Sequence, residues 1–340
     1  MNEDKPRKRR GAGRVTLNTV ARQAGVSAIT VSRYFNQPEQ VSPERRERIA
    51  QVVAELGYVP NLVAGGLASA RGRIVAMVIP NISGPIFANT IQGFSDTLSH
   101  HGYQLLLASS YFSAEQEESA VRAFLGWSPA ALVLTSRFHS AATEKMIADA
   151  DIPVVETWDY VPERAPVQIG FSHYQVGVTA ARYLHGKGYR RLAFVHNSVA
   201  GDFSAQERGE GFAATLIEMG VQPQVFVPDA GRAAFDAGKQ AMETLMGHAT
   251  PPDAIFFAND NLAAGGLLAG QRCGLKCAVL GFGDYPFAEM LLPSLSTIKP
   301  PALEIGVLAA TRVLQSLGVL PQAVQRLNLL DCHLIERESA

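Results

Sequence analysis

The stretch VTLNTVARQAGVSAITVSRYFN, Val15 to Asn36, holds two short helical patterns separated by Gly25. Thr16 stands where its hydroxyl can accept from an amide that the first turn leaves unpaired, which places a helix over residues 17–24. Gly25 supplies the left-handed residue that ends it, and Ser27 caps a second helix running to about Phe35. Ser42-Pro43 opens a third helix with a capping hydroxyl followed by proline at the first helical position. Its apolar residues Ile49, Val52, Val53 and Leu56 share one face, and Gly57 closes it. Ala21 is small where the first two helices cross, and Val31 packs back inside. Three helices with a tight glycine turn between the first two describe a helix-turn-helix unit. Its second helix is of the kind that lies in the major groove with its N-terminal residues toward base edges.

Charge supports a polyanion partner. The tail KPRKRRGAGR precedes this unit, and the first 60 residues carry 11 Lys and Arg against 6 Asp and Glu. The remaining 280 carry 19 against 25, so a formal net charge of -1 hides a basic head on an acidic body. A solvated charged terminus is the plain alternative on charge alone.

From Arg73 onward, buried-strand runs alternate with helical stretches: 74–80, 104–110, 130–136, 152–158, then 191–197, 223–228, 253–260 and 277–284, with LNLLDCHLI as a final strand. Alternation of this length predicts parallel sheets flanked by helices, in two halves built alike. A last helix from Ala302 to Leu317 is expected to cross back to the first half. No apolar run is long enough for a membrane span, and no apolar segment follows the basic tail as in a secretory signal. Three cysteines make no disulfide framework, and the CxxxC of Cys273 and Cys277 lacks a second ligand pair, so no metal, no cofactor and a cytoplasmic home are expected. Gly281-Phe282-Gly283-Asp284 is an incomplete dinucleotide motif after a late strand, and Ser172 and His173 are adjacent in the chain, which does not suit a nucleophile and its base. The body is expected to bind and not to react.

Ligands of open α/β sheets sit beyond the carboxyl ends of the strands. That selects Arg137, Trp158 with Asp159, Phe171, Arg208, Asn259 with Asp260, and Asp284.

The segment 15–36, continued by VSPERRERIAQVVAELGYVPN, resembles the head of LacI/GalR-family transcription regulators as far as about Leu67. The resemblance implies an all-α helix-turn-helix domain joined to an α/β core of two Rossmann-like lobes, of the type I periplasmic-binding-protein kind. It implies a basic tail over 1–14, taken as disordered, a DNA-binding domain over 15–59, a hinge over 60–72 and a core over 73–340. Lobe 1 would span about 73–171 and 302–326, and lobe 2 about 172–298 and 327–340. By the same resemblance Ala28 and Ile29 select the base sequence, and Arg33 meets a base edge. Thr16, Ser27, Thr30 and Asn36 hold phosphates, with Ser32 on the same DNA-facing helix. In the hinge, Asn61, Ala64 and Leu67 face the minor groove, Leu67 as a wedge between base pairs. Gly65-Gly66 departs from the pattern and disfavours helix before DNA is bound.

In the core, Arg208 matches the family arginine that grips effector oxygens, Asn259 with Asp260 an ND pair, and Phe171 an aromatic wall. Trp158 stands where sugar-binding members often carry a polar residue, and Gly283 where many carry an aspartate, which leaves Asp284 to take over or to close the turn. A lost carboxylate beside two arginines favours an anionic effector. VVETWD, GFSH and GFGD look closest to the branch responsive to gluconate and 2-ketogluconate. The implied function is a homodimeric repressor of a sugar-acid operon, released from a palindromic operator by its effector. A purine-branch co-repressor and a solute-binding receptor are the alternatives.

Overall fold

The computed structural model describes residues 15–60, 72–82, 84–162, 164, 166–274, 276–322 and 328–340. The chain forms two compact units, Met1–Gly72 and Arg73–Ala340. The expected tail and most of the expected hinge, with Asn61, Ala64, Gly65, Gly66 and Leu67, lie outside the described residues.

In the first unit, α1 (Leu17–Ala24), α2 (Ala28–Asn36) and α3 (Pro43–Leu56) pack around Val20, Ala24, Val31 and Ile49, all without exposed surface. The Thr16 hydroxyl accepts from the Thr19 amide, and the Thr19 side chain answers the Thr16 amide, closing a capping box. Gly25 ends α1 at φ 65°, a conformation in which a side chain would be strained. One expectation fails: Ser42 sits at the start of α3 but makes no capping hydrogen bond. Pro43, at the first helical position, brings no amide that needs a partner and presets the backbone for the helix, which suits this end.

The second unit carries two sheets. β1 (Ile74–Ile79), β2 (Gln104–Ser109), β3 (Ala131–Thr135), β4 (Val154–Thr157) and β5 (Val167–Ile169) form a parallel sheet in the order β2-β1-β3-β4-β5. β6 (Leu192–Val195), β7 (Gln224–Phe226), β8 (Ala254–Phe257), β9 (Ala278–Phe282) and β10 (Ser296–Lys299) repeat that order as β7-β6-β8-β9-β10. β11 (His333–Ile335) adds an antiparallel edge to β10. The two lobes therefore have the same winding, and each has its strand-order reversal beside its first strand.

Around the sheets lie α4 (Pro85–His100), α5 (Ala114–Gly126), α6 (Ala141–Asp149), α7 (His173–Gly186), α8 (Phe203–Glu218), α9 (Ala234–Met246), α10 (Asp260–Arg272) and α11 (Ala302–Ser316). α11 returns to the first lobe and packs on α4, where the Thr90 hydroxyl donates to the Ala302 carbonyl at 2.7 Å. α7 and α8 meet backbone to backbone: a Cβ on Gly177 would lie 2.1 Å from the Arg208 carbonyl, and one on Gly211 would lie 2.1 Å from that of Tyr174. That contact fixes where Arg208 leaves its helix.

Two strands were not expected. β5 is three residues long, and β10 opens with Ser296 and Thr297, polar residues that are fully buried and carry no apolar signal. LNLLDCHLI is not one strand. Leu329 bridges Gly170 beside the first sheet, and the chain then crosses to β11 in the second. A single run serves both lobes because a crossing separates its two pairings.

Candidate nucleic-acid interface and ligand cavity

α2 divides cleanly. Val31 is buried, whereas Ile29, Arg33 and Asn36 follow one another at helical spacing on the exposed side, Ile29 with 65% of its surface free. Ser27 accepts from the Thr30 amide at 3.2 Å, and the two hydroxyls lie 2.9 Å apart at the helix start. Asn36 is held in place by its Nδ2, which donates to the Ser32 carbonyl at 3.0 Å. Ala28 is half-buried and leans on the helix-turn-helix core. The face thus offers an apolar tip, a cation and small hydroxyls at a helix N-terminus, a combination suited to thymine methyls, base edges and phosphates.

In the second unit, a cavity of about 550 Å³ lies at the carboxyl ends of both sheets. Phe87, Phe112, Phe138 and Trp158 line it from the first lobe, and Phe203, Phe282 and Tyr285 from the second. Tyr111, Phe112, Ser136 and Trp158 hold left-handed backbone at φ 51°, 61°, 74° and 69°, and all four line the cavity. Such conformations cost roughly 1–3 kcal/mol each and persist where the surroundings over-determine them.

Arg208 is the cation of this cavity and is only 4% exposed. Its Nη1 lies 2.8 Å from His173 Nδ1, its Nη2 donates to the Ala258 carbonyl at 3.1 Å, and its plane lies 4.3 Å over the Phe282 ring. His173 Nε2 lies 2.9 Å from the Trp158 carbonyl. A carbonyl can only accept and a guanidinium can only donate, so His173 must be neutral, protonated on Nε2 and accepting on Nδ1. Burial and the Arg208 charge hold its pKa well below the ordinary value, in agreement. Among the described residues no carboxylate forms an ion pair with Arg208, and its buried Nε has no partner. A desolvated cation with spare donors has the chemistry to receive an anion.

The other expected residues separate. Trp158 and Asn259 line the cavity with Arg208. Asn259 caps α10 through its Oδ1, accepting from the Leu262 amide at 3.1 Å. Arg137, Phe171, Asp260 and Asp284 do not line it. Arg137 is neutralised by Asp159, at 2.9 Å, and by Glu207. Burial pushes Asp159 up to about 7 despite the pull of Arg137. Phe171 is core, packed between Trp158 and Phe282. Asp260 is fully buried, accepting from the Tyr285 amide and the Thr297 hydroxyl. Asp284 closes its turn at φ 52° and is held by Arg337 at 2.7 Å and Lys299 at 3.0 Å. The expected pair of cleft arginines is therefore a single one.

The lobes touch across the cavity. Phe138 and Phe203 meet at a tilt of 39° with centroids 4.9 Å apart, and Arg137 reaches from the first lobe to Glu207 on α8. A Cβ on Gly201 would lie 2.3 Å from the Phe112 carbonyl.

Behind the first-lobe wall sits a buried ionic chain absent from the sequence reading. Glu117, which lines the cavity, pairs with His139 at 2.7 Å. His139 Nε2 faces Glu156 at 3.4 Å, and Arg164 holds Glu156 through Nε and Nη2. Burial alone would lower His139, but Glu117 and Glu156 outweigh it and push it up to about 9. Its folded value exceeds the ordinary 6.5, so its stabilising contribution is complete below about 6.5 and disappears as pH rises toward 9. The midpoint of urea unfolding should fall between pH 7.5 and 9, and His139→Asn should flatten that slope; an equal slope in the variant would refute the assignment.

Residues 16–61 match the model of bacterial regulatory proteins of the lacI family, and residues 181–340 match a periplasmic binding protein-like domain. The chain is 34% identical over 312 residues to the HTH-type transcriptional regulator GntR of Pseudomonas aeruginosa, with 90% of each chain covered. It belongs to the LacI family.

Solved LacI-family structures are correspondingly close. A regulator from Silicibacter pomeroyi aligns with TM-score 0.87 and 30% identity over 96% of this chain and 99% of its own. The lac repressor dimer bound to operator and the anti-inducer ONPF aligns with TM-score 0.80 and 25% identity over 96% and 99%. This LacI-family chain is a DNA-binding transcriptional regulator with a ligand-binding α/β core, and it is not an enzyme. Among its described residues no helix is long and apolar enough to cross a membrane. Beyond the residues chosen from the sequence, the cavity uses His173, Glu117 and a ring of phenylalanines. From the sequence His173 is weighed as a base for Ser172 and set aside; its contact with Arg208, 35 positions away, carries no local signal.

Proposed function

We propose that this regulator binds a palindromic operator as a homodimer, represses a sugar-acid catabolic operon, and is released by a small anionic effector such as gluconate or 2-ketogluconate. The division into a tail over 1–14, a DNA-binding domain over 15–59, a hinge over 60–72 and a two-lobed core over 73–340 belongs to this reading. So do the DNA-contacting roles of Thr16, Ser27, Ala28, Ile29, Thr30, Ser32, Arg33, Asn36, Asn61, Ala64 and Leu67. The observation that carries the effector class is Arg208: a buried cation, without a carboxylate partner among the described residues, in an aromatic-lined cavity. A carboxylate satisfies the guanidinium, and the aromatic walls suit the C–H faces of a polyol chain. The effector prefers the form in which the lobes meet, and linkage makes operator affinity fall by the same factor, about 5–150-fold for a coupling of about 1–3 kcal/mol.

Calorimetric titration with gluconate, 2-ketogluconate, ribose and guanine tests the class; heat with ribose or guanine alone would overturn it. A gel shift on the operator fragment with and without gluconate tests the sign of the coupling, and tighter DNA binding with ligand would replace release by co-repression. Arg33→Ala should weaken operator binding by about 1–3 kcal/mol and relax the preference at one base pair. Unchanged affinity and preference in that assay would remove Arg33 from the readout.

A further inference from the structure

We propose that Glu117 is a specificity-determining residue that makes the cavity accept polyhydroxy acids with one anionic end and reject those with an anion at both ends. The proposal rests on the reading that Arg208 takes the effector carboxylate. Arg208 lines the cavity from α8 in the second lobe and Glu117 from α5 in the first, so a ligand long enough to span the lobes can meet both.

The acids that line the cavity differ in what they have left to offer. Asp202 spends one oxygen capping α8, on the Ala205 amide at 3.0 Å, and the other on Asn197 Nδ2 at 2.9 Å. Glu115 accepts from the Ser113 hydroxyl on the exposed rim. Glu117 is only 7% exposed, and its Oε1 is taken by His139 at 2.7 Å. Its Oε2 makes no hydrogen bond with the described residues, and it is not among the fully buried atoms that lack a partner. That oxygen is an acceptor with room for a donor.

His139 sits behind Glu117 with no exposed side-chain surface and divides its charge between Glu117 and Glu156. It cannot turn toward a ligand. A terminal hydroxyl of the ligand can donate to Glu117 Oε2, whereas a second carboxylate or a phosphate would set an anion against an anion away from bulk water. Such a contact costs far more than at a surface.

Calorimetric titration of the full chain with gluconate, glucarate and the 6-monoamide of glucarate tests this. Glucarate should bind roughly 30-fold more weakly than gluconate or worse. The monoamide, the same length but neutral at that end, should return to within about fivefold of gluconate, because its NH2 donates where a carboxylate cannot. In Glu117→Gln the gap between gluconate and glucarate should close to about fivefold or less. Equal binding of gluconate and glucarate by the unaltered chain would overturn the role of Glu117. So would a monoamide as weak as glucarate, or an unchanged gap in a Glu117→Gln chain that still binds gluconate. Binding of none of the three by the unaltered chain would overturn the Arg208 reading along with it. If Glu117→Gln does not fold, the three-ligand comparison on the unaltered chain decides the matter.

Discussion

Arg208→Met should lose its response to gluconate while remaining folded and bound to operator. The guanidinium is the one cation lining the cavity among the described residues, so removing it strips the effector carboxylate of its counter-charge. Truncating one side of a buried, hydrogen-bonded charge pair costs about 2–5 kcal/mol or more, which is at least a roughly 30-fold loss in effector affinity. Stability should move less. Methionine leaves the Ala258 carbonyl and His173 Nδ1 without their donor, a cost of about 1–3 kcal/mol per group. Against that stands relief from holding a desolvated cation with no carboxylate partner, an exchange that is often neutral or favourable by about 1–4 kcal/mol. The second only partly offsets the first, and a net loss of about 2 kcal/mol in urea denaturation is expected. A variant that still binds gluconate within threefold of the original would remove Arg208 from the effector site. A variant that unfolds would make it a structural residue first.

Glu156→Ala should produce the opposite pattern, a large loss of stability through a residue that does not line the cavity. Glu156 is fully buried on β4, gripped by Arg164, hydrogen-bonded by Gln168 Nε2 at 2.8 Å and faced by His139. Its removal leaves the buried His139 with Glu117 as its one counter-charge and Arg164 with Glu144 alone, breaking a largely buried ionic chain at a cost of about 3–5 kcal/mol. For a body of this size about 2–4 °C accompanies each kcal/mol, so melting should drop by about 10 °C. Lys145→Ala supplies the contrast. Its pair with Asp149 lies on the surface, with side chains 75% and 64% exposed, and such a pair contributes about 0–1 kcal/mol. Similar melting shifts in the two variants would show that burial does not govern this ionic chain.

What could be read from the residues follows how far apart the interacting groups lie. Thr16, Gly25 and Ser27 act within a turn of themselves, so the boundaries of α1 and the start of α2 were legible. Strands made of apolar runs, such as Ile74–Ile79 and Ala254–Phe257, were legible for the same reason: their burial is written in each residue. β10 was not, because Ser296 and Thr297 are buried by partners on β9 and the C-terminal segment, with Ser296 N donating to Ser339 Oγ across 43 positions. Among the site residues, Arg208 could be picked out from its local sequence. The fate of Arg137 could not, since it is decided by Asp159, 22 positions away, and Glu207, 70 positions away. Its charge is consumed within the protein, and the cleft has one guanidinium to offer. Glu117 and His139 were invisible as a pair for the same reason, being 22 positions apart on different elements.

The contacts that join the lobes over the cavity bear on timing as much as on affinity. Phe112 against Gly201, Phe138 against Phe203 and Arg137 against Glu207 must all part before the two walls can separate widely. A ligand held by both walls therefore gains residence time from those contacts in addition to its own grip on the walls. Under the proposed release mechanism the dwell time of the signal then includes the opening time of the clamp, so transcription would outlast an abrupt end to the effector supply by about that interval.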